Sequence, residues 1–212
     1  MNKRNVLHQS ADLLGFCHGE FLGKETVADL LKHGNFGLGT FDHLDGELVL
    51  LDGEIYQVKS DGHVYSPTAE VGIPYSQVTF FRATQSFVIK QVPSFFELAR
   101  ELDSQLKFLK KDLERDNFAI RISGESQKMT VRSVCRQDPP YRTLDAAILG
   151  QAVFELEGMK GSFAGFRFCD AFLRGSNWPN YHFHFLSDDK NHGGHLLDLS
   201  IEKGTIEIMH LA

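Results

Sequence analysis

FGLGTFDHLDGELVLLDGEIYQVKSDG, residues 36–62, consists of three short apolar runs cut by Asp-Gly pairs at 45–46, 52–53 and 61–62. Asp-Gly readily adopts the positive-φ geometry of tight turns, so FGLGTF, ELVLL and EIYQVK are predicted to fold back on one another as a β-meander. Just upstream, Thr26 and Asp29 form a capping-box pattern, Leu30 and Leu31 supply an apolar stripe, and Gly34 follows Lys32 and His33 as a stop, which predicts one short helix. Downstream, Phe95, Leu98, Ala99, Leu102, Leu106, Leu109 and Leu113 recur at steps of three and four, the signature of one long amphipathic helix begun by Pro93 and Ser94. FAIRISG and MTVRSVCR then alternate as two strands, and Pro139-Pro140, unable to continue a ladder, marks a turn or a crossing between subdomains spanning 1–138 and 139–212. A second helix is expected from Thr143 to Phe154. The last third returns to strands, SFAGFRF, YHFHFL, HLLDLSI and TIEIMHL, with a hairpin around Lys203-Gly204. The class read from these patterns is α+β and strand-rich.

A chain of 212 residues, 42% hydrophobic and 24% charged, is suited to one compact unit, and it has no repeat of solenoid period. A net charge of -6 without basic blocks argues against nucleic acid and anionic membranes as partners. Cys17, Cys135 and Cys169 are odd in number and widely spaced, which excludes a complete disulfide framework and any CxxC site. The first residues lack an apolar signal region and no run of 18 uncharged apolar residues occurs, so the expected compartment is the cytoplasm. GxGxxG, P-loop and GxSxG patterns are missing, leaving nucleotide phosphates and a serine nucleophile without support.

Chemistry concentrates in YHFHFL, residues 181–186. On a strand, His182 and His184 point to one face, with Tyr181, Phe183 and Phe185 on the other. The polar stretch from Ser187 to Gly194 reads as a hairpin loop, so the returning strand sets His195 beside the pair. Three imidazoles with an open fourth position are the ligand set of a catalytic zinc site. Such a pair on one strand also arises by chance in a chain with ten histidines; the third, across a hairpin and flanked by apolar residues, favours metal. His192 is assigned to the loop, and His8, His18, His33, His43, His63 and His210 have no partner at ligand-like spacing.

GTFDHLDGELVLLDGEIYQV at 39–58, VTFF at 78–81, VRSVCRQDPPY at 131–141 and YHFHFLSDDKNHGGHLLDL at 181–199 together resemble the bacterial alpha-acetolactate decarboxylases, in one order from about residue 30 to 209. The resemblance implies mixed and antiparallel sheets in two packed β subdomains with a few helices. It implies a homodimeric, zinc-dependent enzyme that converts 2-acetolactate to acetoin and carbon dioxide. The family's metal histidines fall on His182, His184 and His195, its acidic site residue on Glu47, its arginine on Arg132 and its threonine on Thr40. Read without the resemblance, Glu47 is a solvated strand start, Arg132 and Arg136 an exposed basic ladder, and Thr40 a strand former.

In the implied reaction, loss of the carboxylate leaves an enediolate whose charge zinc stabilises. Arg132 and Glu47 are then catalytic, with Thr40 and Arg132 binding substrate. Two other readings remain open at this point: an Fe(II) oxygenase using His182, His184 and Glu47, and a non-catalytic binder of small keto or hydroxy acids. Family members continue for some tens of residues past the GGH motif and bring a second glutamate to the metal, whereas this sequence runs 17 residues beyond His195, with Glu202 and Glu207 in that stretch. Neither is expected to substitute, and a longer natural chain is expected.

Overall fold

The computed structural model describes residues 5–169 and 181–212. Strands β1 (His8–Gln9), β2 (Glu25–Thr26), β3 (Phe36–Thr40), β4 (Glu47–Leu51), β5 (Glu54–Val58), β6 (Val64–Tyr65), β7 (Gly72–Ile73) and β8 (Tyr75–Thr79) fill the first part of the chain, with helices α1 (Leu13–Cys17) and α2 (Val27–Leu30). Then come β9 (Gln85–Val92), α3 (Phe95–Phe108), β10 (Phe118–Ser133), α4 (Leu144–Ile148), β11 (Ala152–Arg167), β12 (Tyr181–Ser187) and β13 (Gly193–His210). The first sheet has the order β1-β8-β3-β4-β5-β6, and β2 pairs β7 beside it. In the second sheet β10, β11, β12 and β13 pair in turn and β13 also pairs β10, closing a ring, with β9 added along β13. The fold is α+β and strand-rich, as expected, and the pairings among the described residues are antiparallel. The change of sheet falls between β8 and β9, well ahead of Pro139.

The meander is present as β3, β4 and β5, with Gly46 and Gly53 at positive φ in its turns. The Thr26–Asp29 capping box opens α2, and the Ser94 hydroxyl accepts from Glu97 N at the start of α3. Helix α3 stops at Phe108, short of Leu113. Lys110 takes φ 57° and Lys111 N returns to Leu106 O, which ends the helix, and Leu113 reaches the same core from the turn that follows.

Two expected breaks are continuous strand, and one expected helix is shorter. FAIRISG and the MTVRS of MTVRSVCR are both part of β10, whose polar middle stays paired through bulges around Ser126, while Val134 to Arg136 lie beyond its end. No hairpin forms at Lys203-Gly204, because Gly204 lies opposite Gly124 where β13 crosses β10: a Cβ on Gly124 would lie 2.6 Å from Gly204 Cα. These glycines permit close approach instead of a turn. The helix expected over 143–154 is only α4; beyond Gly150 the sequence VFELEG alternates, and Phe154 pairs with Val131 in the ladder.

Two cores follow from the alternation of β12. Tyr181, Phe183 and Phe185 join Leu98, Leu102 and Leu106 of α3 in one. On the opposite face, Leu186 joins Phe166 and Met209 against Phe36, Leu38, Val49 and Val58 of the first sheet. The second core is the seam between the sheets, and the histidine face of β12 opens onto it. Leu102 is fully buried while Phe108, at the end of the same helix, is 82% exposed. Leu102→Ala is therefore expected to lower unfolding free energy by about 2–5 kcal/mol. Phe108→Ser should change it by no more than about 0.5 kcal/mol. Denaturant titration of the two variants checks the assignment of faces, and equal effects would contradict it.

Candidate active site and metal centre

Seven residues of β12 and the start of β13 carry the imidazoles. His182 and His184 share a face, and β13 pairs His195 directly with His184. The loop between them is held by Ser187, whose backbone N donates to His192 O at 2.9 Å and whose hydroxyl donates to Asp189 at 2.6 Å. Gly194, at φ 142°, lets β13 press against β10: a Cβ there would lie 2.7 Å from Arg132 O. His182 Nε2 lies 3.2 Å from His184 Nε2 and 3.2 Å from His195 Nδ1, and all three rings are buried.

Tautomers follow from the outer partners. His184 Nδ1 lies 2.8 Å from Leu48 O, and a carbonyl only accepts, so Nδ1 carries the proton and Nε2 presents a lone pair. Arg132 Nη2 donates to His195 Nδ1 at 3.2 Å, so that nitrogen also presents a lone pair. Three converging ring nitrogens thus share at most one proton, and His182 Nδ1 has no hydrogen-bond partner among the described residues. A cation at the convergence point satisfies what a proton cannot. Zinc–nitrogen bonds of about 2.0–2.1 Å at a tetrahedral angle place neighbouring nitrogens about 3.3 Å apart, which the observed spacing fits.

The sheets meet at the remaining expected residues. Arg132 on β10 is paired with His195 on β13, and its Nη1 donates to Glu47 Oε1 at 2.7 Å across the seam. Val134 N also donates to Glu47 Oε1 at 3.2 Å, and Glu47 Oε2 lies 3.5 Å from His184 Nε2. Both charged residues are buried, so the solvated strand start and the exposed basic ladder do not describe them. Thr40, paired with Glu47 across β3 and β4, donates its hydroxyl to Gly46 O at 2.6 Å. Arg136 lies outside this cavity lining, and neither Glu202 nor Glu207 on β13 reaches it.

Thr40, Glu47, Arg132, His182, His184 and His195 line one side of a cavity of about 260 Å³. The rest of its lining is largely apolar, with Leu13 and Phe16 of α1, Leu144 and Ile148 of α4, and Tyr75 and Val134 next to the polar residues. Sequence reading missed this wall, because α1 is a five-residue helix whose signal is little more than Asp12 capping Gly15 N. Cys17 and Asp145 stand in the same wall, and burial, then Asp145, pushes the Cys17 thiol up.

Burial holds all three imidazoles well toward the neutral form. His182 and His195 lie well below the ordinary histidine value, from burial first and then from neighbouring imidazoles and the Arg132 guanidinium; His184 is lowered to about 3, with the Leu48 carbonyl partly opposing. Burial raises the Glu47 carboxyl, outweighing the opposing pull of Arg132 and Val134 N. For the chelated, metal-free protein the sign is then fixed. Unfolding lets the imidazoles bind protons near 6.5, so their contribution to stability is full above that pH and is lost as pH falls through it toward about 3. Glu47, with its raised value, acts in the opposite sense, but one group faces three. Calorimetry from pH 7 to 4 should show stability falling on acidification, with a shallower slope in His184→Gln; identical slopes would count against the assigned protonation states.

The family described as Alpha-acetolactate decarboxylase matches residues 7–212. An alpha-acetolactate decarboxylase of Methanosarcina mazei is 38% identical over 203 residues, 96% of this chain and 68% of that protein. One from Raoultella terrigena is 35% identical over 204 residues, 95% of this chain and 76% of its own length. The crystal structure of alpha-acetolactate decarboxylase from Bacillus subtilis strain 168 superposes with a TM-score of 0.89 at 29% identity, covering 98% of this chain and 86% of that one. With nearly its whole length matched in sequence and in fold, the chain belongs to the alpha-acetolactate decarboxylase family of carboxy-lyases.

Proposed function

We propose that the chain, acting as one catalytic unit, converts 2-acetolactate to acetoin and carbon dioxide with a zinc ion held by His182 Nε2, His184 Nε2 and His195 Nδ1. The observation that carries this reading is the convergence of three buried ring nitrogens, His182 Nε2 lying 3.2 Å from the other two, whose own partners leave them lone pairs. When bound, zinc supplies a Lewis acid that polarises the substrate ketone and offsets the negative charge left as carbon dioxide departs. The three-imidazole group is compact, and Glu47 stands beside it, which favours this set over the pair-plus-carboxylate set of an Fe(II) oxygenase.

The protein's own groups divide the remaining work. Arg132 is fixed by Glu47 through Nη1, and once the His195 Nδ1 lone pair is engaged its Nη2 is available to the substrate carboxylate or to the oxygen gaining charge. Breaking the carbon–carbon bond leaves its electron pair in an enediolate, which takes up one proton to give acetoin. Glu47, with one oxygen facing His184, accepts the hydrogen of the substrate hydroxyl and orients that group. Thr40 donates to Gly46 O, so its lone pairs face the substrate as acceptors. The apolar wall of α1 and α4 covers the substrate's methyl groups and limits water at the charged side. The same reading assigns the enzyme to acetoin biosynthesis in the cytoplasm, as a homodimer.

Metal stoichiometry and acetoin formation from racemic acetolactate, measured on one preparation, test the proposal. His195→Ala should lose the zinc of this site and His192→Ala should keep it; the reverse pattern would sink the ligand assignment. Arg132→Lys keeps the charge and loses the planar fork, and kcat should fall by about 10²-fold or more with the fold intact, since one preorganised donor typically contributes about 10² to 10³ in rate. Near wild-type turnover in that variant would remove Arg132 from the mechanism.

A further inference from the structure

Outside the cavity, His8 and His33, which had no partner at ligand-like spacing in the sequence, come together with Glu25. His8 Nε2 lies 2.9 Å from Glu25 Oε2, and the His8 and His33 rings stack with centroids 3.8 Å apart and planes 7° from parallel. One donor atom from each of His8, Glu25 and His33 lies within 4.8 Å of the others. We propose that these three residues form a second metal site, selective for a late divalent transition ion such as zinc, separate from the one lined by His182, His184 and His195.

Three features support the assignment. The donor set, two imidazoles and one carboxylate, suits zinc, nickel and copper and is poor for calcium or magnesium, which prefer oxygen. Each donor sits on anchored backbone: His8 pairs with Val78, Glu25 pairs with Ile73, and His33 N donates to Leu30 O at the end of α2. All three side chains are half-buried, so an ion enters directly and keeps water in its remaining positions.

The bland alternative is a His8–Glu25 ion pair with a stacked neighbour. A neutral imidazole carries one ring nitrogen with a lone pair, however, and both rings here stand within reach of a carboxylate. An ion replaces the proton between His8 and Glu25 and draws in the second ring. Parallel rings at this separation do not aim their in-plane lone pairs at one point, so binding includes a rotation of one ring about its Cβ–Cγ bond, which partial exposure permits. The bound ion would join β1, the two-residue edge strand of the first sheet, to β2 and to the end of α2.

Zinc titration of chelator-treated full-length protein by calorimetry tests the site. Wild type should bind two equivalents and His33→Ala one, with acetoin formation by His33→Ala unchanged at saturating zinc. In a His195→Ala background one equivalent should remain, and His195→Ala/His33→Ala should bind none. Glu25→Gln, which keeps the side-chain shape, should weaken the second equivalent by about tenfold or more. A single equivalent in wild type, or a second equivalent that survives both His33→Ala and Glu25→Gln, would overturn the proposal. Because the readout is the second equivalent, a failure here stays distinguishable from a failure at His182, His184 and His195.

Discussion

A guanidinium and a carboxylate buried 2.7 Å apart, Arg132 on one sheet and Glu47 on the other, are the contact on which the arrangement depends. Removing both from water is expensive, and at Glu47 burial outweighs the opposing pull of Arg132 and Val134 N, so the pair depends on its remaining atoms being engaged as well. Val134 N completes one Glu47 oxygen, and His195 takes a second Arg132 donor. The cation left in this dry seam has an effect beyond its own pair: after burial, it is among the forces that depress all three neighbouring imidazoles. Imidazoles must be neutral to bind metal, so a buried arginine beside these three favours the form in which they could hold one.

The strand carrying His182 and His184 is shared between two cores. Its odd residues are committed to α3 and its even residues to the seam, so a shift of one position would exchange aromatic and imidazole faces at once. The register is therefore specified from both sides. His195 inherits this precision, because its strand pairs with β12 at His184 and with β10 at Arg132.

Much of this was legible in the sequence where a local rule had no competitor. Asp-Gly pairs marked the meander, the two-residue step placed His182 and His184 on one face, and Gly193-Gly194 signalled the return of His195. The legible part ended where glycine had two meanings: Gly204 sits where strands cross closely, and read alone it mimics a turn. Polar residues in the middle of β10 likewise looked like a break while remaining paired on both sides. The α1 and α4 wall, and the meeting of His8 with Glu25 and His33, depend on contacts between segments distant in the chain. The pairings of β1 with β8 and of β2 with β7 create the latter, and no spacing rule encodes them.

The hydrogen bond from His184 to Leu48 O has a consequence for how the protein tolerates genetic change. Many metal-binding histidines are oriented by a neighbouring carboxylate, a support that one missense substitution deletes. Here the orienting oxygen belongs to the main chain, so any residue at position 48 that preserves the strand still presents it. Inherited variation would disturb this imidazole chiefly through insertions or deletions that displace β4, and the Asp45-Gly46 and Asp52-Gly53 turns bounding that strand are where a change of length would do so.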